Sequence, residues 1–445
     1  MSVLSRGACP SLAAPMQTGD GLLARIVTGG ATIGLDAMAA LCTAARLHGN
    51  GIIEVSGRGS LQVRGLTAAS ATPFAEAAAA FEVFTTGGIP VLADSLAGLD
   101  PAGAIDAGRL AAALREQLAA ASFAAMLAPK VSVVIDGGST LHLDAVAADV
   151  RLRAMGTDIH VALGGDGASS VSLGFVEPTR AAEAASRLLE LIAKRGPQGR
   201  ARDLLRDHGE PSCRGTLHDL VRDGPTPAPR PRAEPIGIHT LRGGSVALGI
   251  GLAFGHTDAV ALAALIAAAE HAGATGIRAA PGRALLLIGL QPDGADSLAA
   301  EAEDLGFITG REDPRRHLVA CAGAPICAAA EIPARAVAPT ISAAARPLLD
   351  GSLTLHLSGC AKGCAHAARS ALTIVGRRSG CGVIVNGKAR DQALAELGPQ
   401  ALPAALARLA GEVERVRRPG ESAADALAGL GASRIAQLLG EPGHG

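Results

Sequence analysis

The feature that most constrains this chain is a repeat at long range. Gly49, Ile53, Leu61, Gly65 and Leu66 recur as Gly273, Ile277, Leu285, Gly289 and Leu290, each pair at an offset of 224. Asp36 and Asp258, each ahead of an alanine-rich run, match at 222 and read as N-caps of equivalent helices. A period this long does not build a solenoid. It implies an internally duplicated chain with two pseudo-symmetric halves.

Each copy reads as strand, helix, turn, strand, loop, strand. In the first, an apolar strand at 22–27 precedes a helix from 36 to about 48. A turn at Gly49-Asn50-Gly51 leads to a strand at 52–55, a polar loop at 56–60 and a strand at 61–66. In that last run Leu61 and Val63 share one face, Gln62 and Arg64 the other. Two polar groups aimed together suit a wall facing a ligand, and equally a solvated strand face. Between the copies, helical segments at 72–81, 106–126 and 180–195 alternate with apolar runs at 131–135, 159–163 and 171–175. A charged helix is expected at 200–206. Five prolines between Pro225 and Pro235 mark 222–236 as a linker. A second α/β region follows the second copy, from 296 to about 418.

That second region carries Cys321 and Cys327 in a C-x5-C pair, then Cys360 and Cys364 in a C-x3-C pair. Half of the eight cysteines thus fall within 44 residues, on Gly- and Pro-containing turns. Four thiolates that converge are what a [4Fe–4S] cluster requires. Zinc is the rival, although structural zinc favours shorter spacers. Four unrelated buried thiols are the plain alternative. Cys9, Cys42, Cys213 and Cys381 stand apart and read as structural.

Lys+Arg 40 against Asp+Glu 41 gives no global field for nucleic acid, so any anion must be held by local basic clusters. With no Trp or Tyr and seven Phe, the core must come from Ala, Leu, Val and Ile. A mean hydropathy of +0.31 reflects alanine, and no run reaches the length of a membrane span. The first ten residues lack the charged head and apolar stretch of a secretory leader. Cysteines grouped for a metal, without a disulfide framework, suit a reducing cytoplasm. Gly249-Ile250-Gly251 through Gly255 is not a G-x-G-x-x-G loop, and it and Gly164–Gly167 read as turns.

The two cysteine pairs and the two-fold repeat together resemble the sirohaem-dependent sulfite and nitrite reductase family, over nearly the whole chain. Within it, Arg6-Gly-Ala-Cys9-Pro-Ser-Leu12, His48-Gly-Asn-Gly-Ile-Ile-Glu54 and Arg58-Gly-Ser-Leu-Gln62-Val-Arg64-Gly-Leu66 are similar to one branch, the precorrin-3B synthases of aerobic cobalamin biosynthesis. The resemblance implies an α+β, duplicated nitrite/sulfite reductase-like fold, whose halves each hold a ferredoxin-like half-domain and an α/β domain. The boundaries expected are 1–70 and 71–221 for the first half, a linker at 222–236, then 237–295 and 296–445, the last carrying the cysteines.

The same resemblance implies an oxidoreductase that hydroxylates precorrin-3A at C20 with dioxygen and closes a γ-lactone. Arg25 and Lys130 match basic residues that hold the oxyanion in the reductases. Ser132 stands where sulfite reductases carry a second lysine, Arg64 replaces a histidine, and Ile89 falls near an arginine of nitrite reductases. Such losses make an oxyanion site unfavourable. A polycarboxylate tetrapyrrole instead needs arginines, with Arg25, Arg58, Arg64 and Lys130 as first candidates, Arg278 and Arg283 from the second copy, and Gln62 as a neutral partner.

The implied cofactors are the [4Fe–4S] cluster on Cys321, Cys327, Cys360 and Cys364 and a mononuclear non-haem iron whose ligands the sequence does not assign. In this reading Cys364 matches the reductase cysteine that bridges cluster and haem, and His356 and His366 are structural or support the cluster. Electrons would come from an external donor, NADH through a reductase or ferredoxin, to a monomer that binds neither nucleic acid nor membrane. Two alternatives stay open: a sirohaem sulfite or nitrite reductase, and a non-catalytic iron–sulfur or tetrapyrrole carrier.

Overall fold

The computed structural model describes residues 10–81 and 88–440, so Cys9 and its motif partners Arg6 to Ala8 lie outside the described residues. The chain divides into two compact units. The larger takes in Met1–Gln17, Leu22–Ile250 and Asp258–Leu305, the smaller Thr18–Gly21, Gly251–Thr257 and Gly306–Gly445.

Both copies of the repeat lie in the larger unit. In the first, strands Gly21–Ile26, Leu61–Leu66 and Ile52–Val55 run antiparallel in that spatial order. Helix Leu35–His48 packs against them through Met38, Leu41 and Ala45. In the second, Gly237–Thr240, Val246–Gly251, Ala284–Leu290 and Gly276–Ala280 form the sheet, and helix Ala259–His271 packs on helix Leu35–His48 of the first copy. Ile33 and Ile277 exchange both backbone hydrogen bonds at 2.8 Å. The 56–59 and 281–283 loops also meet, with Arg58 bridged to Pro281 and Gly282 N–H donating to Gly57 O at 3.1 Å. Gly59 permits this approach: its φ is +77°, and a Cβ there would lie 2.9 Å from the Ala280 carbonyl carbon.

The two helix starts differ. Asp258 is an N-cap, accepting from Val260 N at 2.9 Å and Ala261 N at 2.8 Å. Asp36 is not, contrary to the sequence expectation. Gly34 occupies the cap position without a side-chain bond, and Asp36 sits in the first turn, where its charge still opposes the helix dipole.

The remaining two sheets share one topology. In the larger unit Val91–Ala93, Val133–Asp136 and Val150–Met155 are parallel, followed by antiparallel Asp158–Leu163 and Val171–Val176. In the smaller, Leu318–Ala320, Leu355–Ser358 and Ser370–Arg377 are parallel, followed by antiparallel Gly380–Gly387 and Ala395–Leu397. Helices Ala107–Ala120 and Ala334–Ala344 make the equivalent first crossovers. Each sheet packs on an Ala-, Leu- and Val-rich core, as a chain poor in aromatics requires.

Several expectations were too long or too short. The helix expected over 106–126 is capped by Asp106, ends at Ala120 and continues as a 3-10 turn, Ser122–Met126. That expected at 200–206 runs Ala201–Gly215 but breaks at Gly209, two residues before Pro211. Strand Val150–Met155 was not expected, because Arg151 and Arg153 interrupt its apolar pattern. Gly249 and Gly251 belong to a strand rather than to a turn or a nucleotide loop. The Gly249 position admits no side chain, because Pro235 O would lie 1.7 Å from its Cβ. No helix among the described residues is long and apolar enough to cross a membrane.

Candidate functional site

The smaller unit places two of the four candidate thiols at the ends of adjacent parallel strands. Cys321 follows Leu318–Ala320, and Cys360 follows Leu355–Ser358 by two residues. Gly359 N–H donates to Cys321 Sγ at 3.0 Å, and Glu331 N–H donates to Gly359 O at 2.7 Å, tying the two cysteine loops together. A Cβ at Gly359 would meet Cys321 Sγ at 3.3 Å, and one at Gly19 would meet Cys327 Sγ at 2.3 Å, so glycines keep space around both sulfurs. Burial, with a contribution from the neighbouring Cys364 and Cys360 and against the Gly359 and Gly323 N–H groups, pushes the Cys321 thiol up to about 11. Three of the thiols are therefore within electrostatic reach of one another.

Tetrahedral zinc, with bonds of about 2.3 Å, would need its sulfurs about 3.8 Å apart. Among the described residues, the only trio of metal-type donors within 4.8 Å of one another is Asp136, His142 and Asp144. No three of the four thiols come that close. His356 is fully buried on the strand before Cys360, its ring centroid 5.7 Å from that of His366. Cys42, Cys213 and Cys381 are buried, and burial pushes Cys42 up to about 12.

In the larger unit Arg25, Gln62 and Glu54 stand side by side across three strands, since Gln62 pairs with Arg25 on one side and Glu54 on the other. With its amide turned to match its neighbours, Gln62 donates to Glu54 Oε2 at 3.1 Å and accepts from Arg25 Nη2 at 2.9 Å. Arg64, two residues along the same face, pairs with Glu54 Oε2 at 3.2 Å. The face is buried rather than solvated, with Gln62 8% and Arg64 7% exposed. Glu54 is the hub of this row, and the sequence reading did not single it out. Its signal was a lone acid at the polar position of an apolar strand, facing a strand that presents Gln62 and Arg64.

Arg58 donates to Ser132 Oγ at 3.0 Å. Ser132 N–H in turn donates to Asp149, whose carboxylate is gripped by Arg200 through two bonds of 2.9 Å. Lys130, two residues away, is exposed. Ile89 packs on the adjacent core. Arg278 is buried and donates to Thr32 Oγ1 at 2.7 Å and Ala97 O at 2.9 Å. Arg283 is half-buried at the tip of its loop with φ +64°. The structure thus gathers Arg25, Gln62 and Arg64 into one row and sets Arg58 and Arg283 on the two loops that meet.

The chain is 42% identical over 437 residues to a precorrin-3B synthase from Sinorhizobium sp., covering 97% of this chain and 94% of that protein. The chain belongs to the precorrin-3B synthase family. More distantly, it is 26% identical over 157 residues to sulfite reductase [ferredoxin] 1 of Mycolicibacterium paratuberculosis and 30% identical over 155 residues to the sulfite reductase [NADPH] hemoprotein beta-component of Myxococcus xanthus. These matches span 34% and 32% of this chain and 28% of each relative. The NirA protein of Mycobacterium tuberculosis shares its fold, with a TM-score of 0.74 at 19% identity over 93% of this chain and 84% of that one. The duplicated nitrite/sulfite reductase-like fold expected from the sequence is therefore present. No family model matches the chain.

In this precorrin-3B synthase family member the thiol loop has a counterpart in the larger unit. Val133 pairs with Val150 in one sheet and Leu355 with Leu372 in the other, a spacing of 17 in both. By this register Gly138 and His142 are the positional equivalents of Cys360 and Cys364, and Asp94 of Cys321. Gly137 N–H donates to Asp94 Oδ2 at 2.8 Å, as Gly359 N–H does to the Cys321 sulfur. Asp94 Oδ1 has no partner among the described residues, the nearby Ser139 hydroxyl lying outside hydrogen-bonding geometry. Asp136, His142 and Asp144 could by distance alone hold a cation. The Arg230 guanidinium already fills that role, bonding Asp136 and reaching Asp144 at 2.9 Å, with Arg153 3.3 Å from Asp144. Burial raises the Asp144 carboxyl, but Arg230 outweighs it and holds it below the usual range.

Proposed function

We propose that this chain is a precorrin-3B synthase, hydroxylating precorrin-3A at C20 with dioxygen and closing a γ-lactone with the ring A acetate. The observation that carries this reading is the 42% identity to a precorrin-3B synthase across nearly the full length of both proteins. One oxygen atom of dioxygen enters the macrocycle and the other leaves as water, which requires two electrons and two protons from outside the substrate. An external donor, NADH through a reductase or a reduced ferredoxin, supplies the electrons.

Cys321, Cys327, Cys360 and Cys364 hold a [4Fe–4S] cluster in this reading. The N–H···S bond from Gly359 and the glycine-lined space fit that group. When bound, the cluster supplies one-electron transfer, its potential tuned by such hydrogen bonds. The thiols it needs suit a reducing cytoplasm. A mononuclear iron fits less well. Of the Asp136, His142 and Asp144 trio, both carboxylates already bond Arg230.

The chain's own groups bind and orient the substrate. Arg58, fixed by Ser132, and Arg25 and Arg64, fixed through Gln62 and Glu54, present cations whose geometry is set before binding. Lys130 adds an exposed cation nearby in sequence, and Arg283 one from the second repeat.

The test is incubation of the purified protein with precorrin-3A, a reductant and 18O-labelled dioxygen, followed by mass spectrometry. Incorporation of one labelled atom is expected, and an unlabelled or unchanged tetrapyrrole refutes the assignment. The NirA likeness keeps a sirohaem reductase as the second reading. A protein purified with a sirohaem absorption spectrum would favour it.

A further inference from the structure

The Pro-rich segment between the halves does more than connect them. Arg230 anchors it to Asp136 and Asp144, and Arg153 donates to Ala228 O at 2.9 Å. Two residues past the anchor, Arg232 lines a cleft of about 50 Å³ with Gly57, Ser95, His142, Pro235 and Gly282. A second, narrower crevice shares Ser95, Val146 and Pro281 with it and is lined by Arg58. The first is far too small for a macrocycle and suits a single carboxylate group.

Arg283 belongs to the same surroundings. It holds a left-handed backbone conformation that a side-chain-bearing residue rarely adopts, and such conformations gather at functional sites. Its Nη2 would lie 4.0 Å from a Cβ on Gly57, which lines the first cleft. Burial and the neighbouring Arg232 both press its guanidinium below the ordinary value, with Glu54 opposing. Glu54 is already engaged by Arg64 and Gln62. Two guanidinium groups that repel each other beside a cleft, with the nearby carboxylate committed elsewhere, call for an anion between them.

We propose that Arg232 and Arg283 form a carboxylate subsite that takes one peripheral carboxylate of the tetrapyrrole, with Arg230 as the positioning residue that holds Arg232 in place. The proposal rests on the tetrapyrrole reading above and assigns a role to a linker residue that no motif marks.

The experiment titrates uroporphyrin III, an octacarboxylate tetrapyrrole, into the full-length protein with its cluster intact, following fluorescence at low and high salt. Arg232→Gln, a change at an exposed position, is expected to weaken binding about tenfold to fiftyfold and to flatten its salt dependence. Arg232→Lys is expected to recover most of the affinity, because it restores the charge. Arg232→Gln/Arg283→Gln is expected to fall short of the product of the single effects, as two groups sharing one carboxylate must. Wild-type affinity in Arg232→Gln, or strictly multiplicative losses, overturns the shared subsite while leaving the tetrapyrrole reading intact. If the wild-type protein does not bind uroporphyrin III, the tetrapyrrole reading fails and takes the subsite with it.

Discussion

Replacing Asp94 by Asn should stabilise the protein at neutral pH, by an amount that depends on pH in a defined way. Asp94 is fully buried, and burial, aided by the neighbouring Asp136 and Asp100 and opposed by the Gly137 N–H, pushes its carboxyl from 3.8 to about 6. Well below 3.8 the acid is neutral in both folded and unfolded chains, and it contributes no difference. Between 3.8 and about 6 the unfolded chain releases the proton while the folded one keeps it, so stability falls as pH rises. Above about 6 both are ionised and the penalty is constant. At about 1.4 kcal/mol per pH unit, the gap amounts to about 3 kcal/mol. Asn cannot ionise and retains an oxygen for the Gly137 N–H, now at 2.8 Å from the carboxylate. Urea unfolding midpoints of the two proteins should therefore separate between about pH 4 and about pH 7, with the variant the more stable. Midpoints that run parallel across that range would refute the claim that folding buries a reluctant charge here.

Other perturbations test the row and the thiol loops. At 3.2 Å and an effective dielectric of about 20 the Arg64–Glu54 attraction is about 5 kcal/mol. Breaking it leaves a buried cation at a cost of about 3–5 kcal/mol, so Glu54→Gln should lower the urea midpoint markedly and Glu54→Gln/Arg64→Gln should recover more than half the loss. Gly359→Ala puts a Cβ 2.8 Å from that of Ala330 and 3.3 Å from Cys321 Sγ, and should reduce iron and sulfide per chain, measured colorimetrically, with the fold retained by circular dichroism. Arg278→Lys should cost about 1–3 kcal/mol in urea unfolding by leaving the Thr32 and Ala97 acceptors poorly matched, while uroporphyrin III affinity stays unchanged.

The repeat was legible because it constrains backbone: glycines and apolar strand residues recur at one offset wherever the two copies must turn and pack alike. Gln62 and Arg64 were correctly placed on a shared strand face. Whether that face met solvent could not be read, because its burial depends on Arg25 and Glu54 arriving from two other strands. Strand order and register are tertiary facts. Asp36 misled for a local reason: spacing matched it to Asp258, but Gly34 starts the first helix earlier. Strand Val150–Met155 was hidden by Arg151 and Arg153, whose charges look solvated until Asp144 is brought alongside. The Pro-rich segment read as a linker from composition, yet Arg230 fastens it, and no local pattern distinguishes a fastening arginine from an exposed one.

The likeness of Asp94 to Cys321 was the least legible feature, and it carries the most chemical content. The two side chains differ in type and the intervening crossovers differ in length, so only the donor glycines, Gly137 and Gly359, keep the offset of 222. What is shared is a backbone N–H at the end of the second parallel strand, aimed at the side chain that follows the first. Such a donor favours any partial negative charge placed before it. In one sheet that charge is a sulfur within electrostatic reach of two other thiols. In the other it is a carboxyl oxygen beside Asp136, while Arg230, rather than a metal, answers Asp136 and Asp144. One scaffold thus supplies the same donor twice, and the side chains chosen decide whether that end of the sheet can gather an inorganic centre or fasten a peptide segment. The second outcome is what sets Arg232 at its cleft.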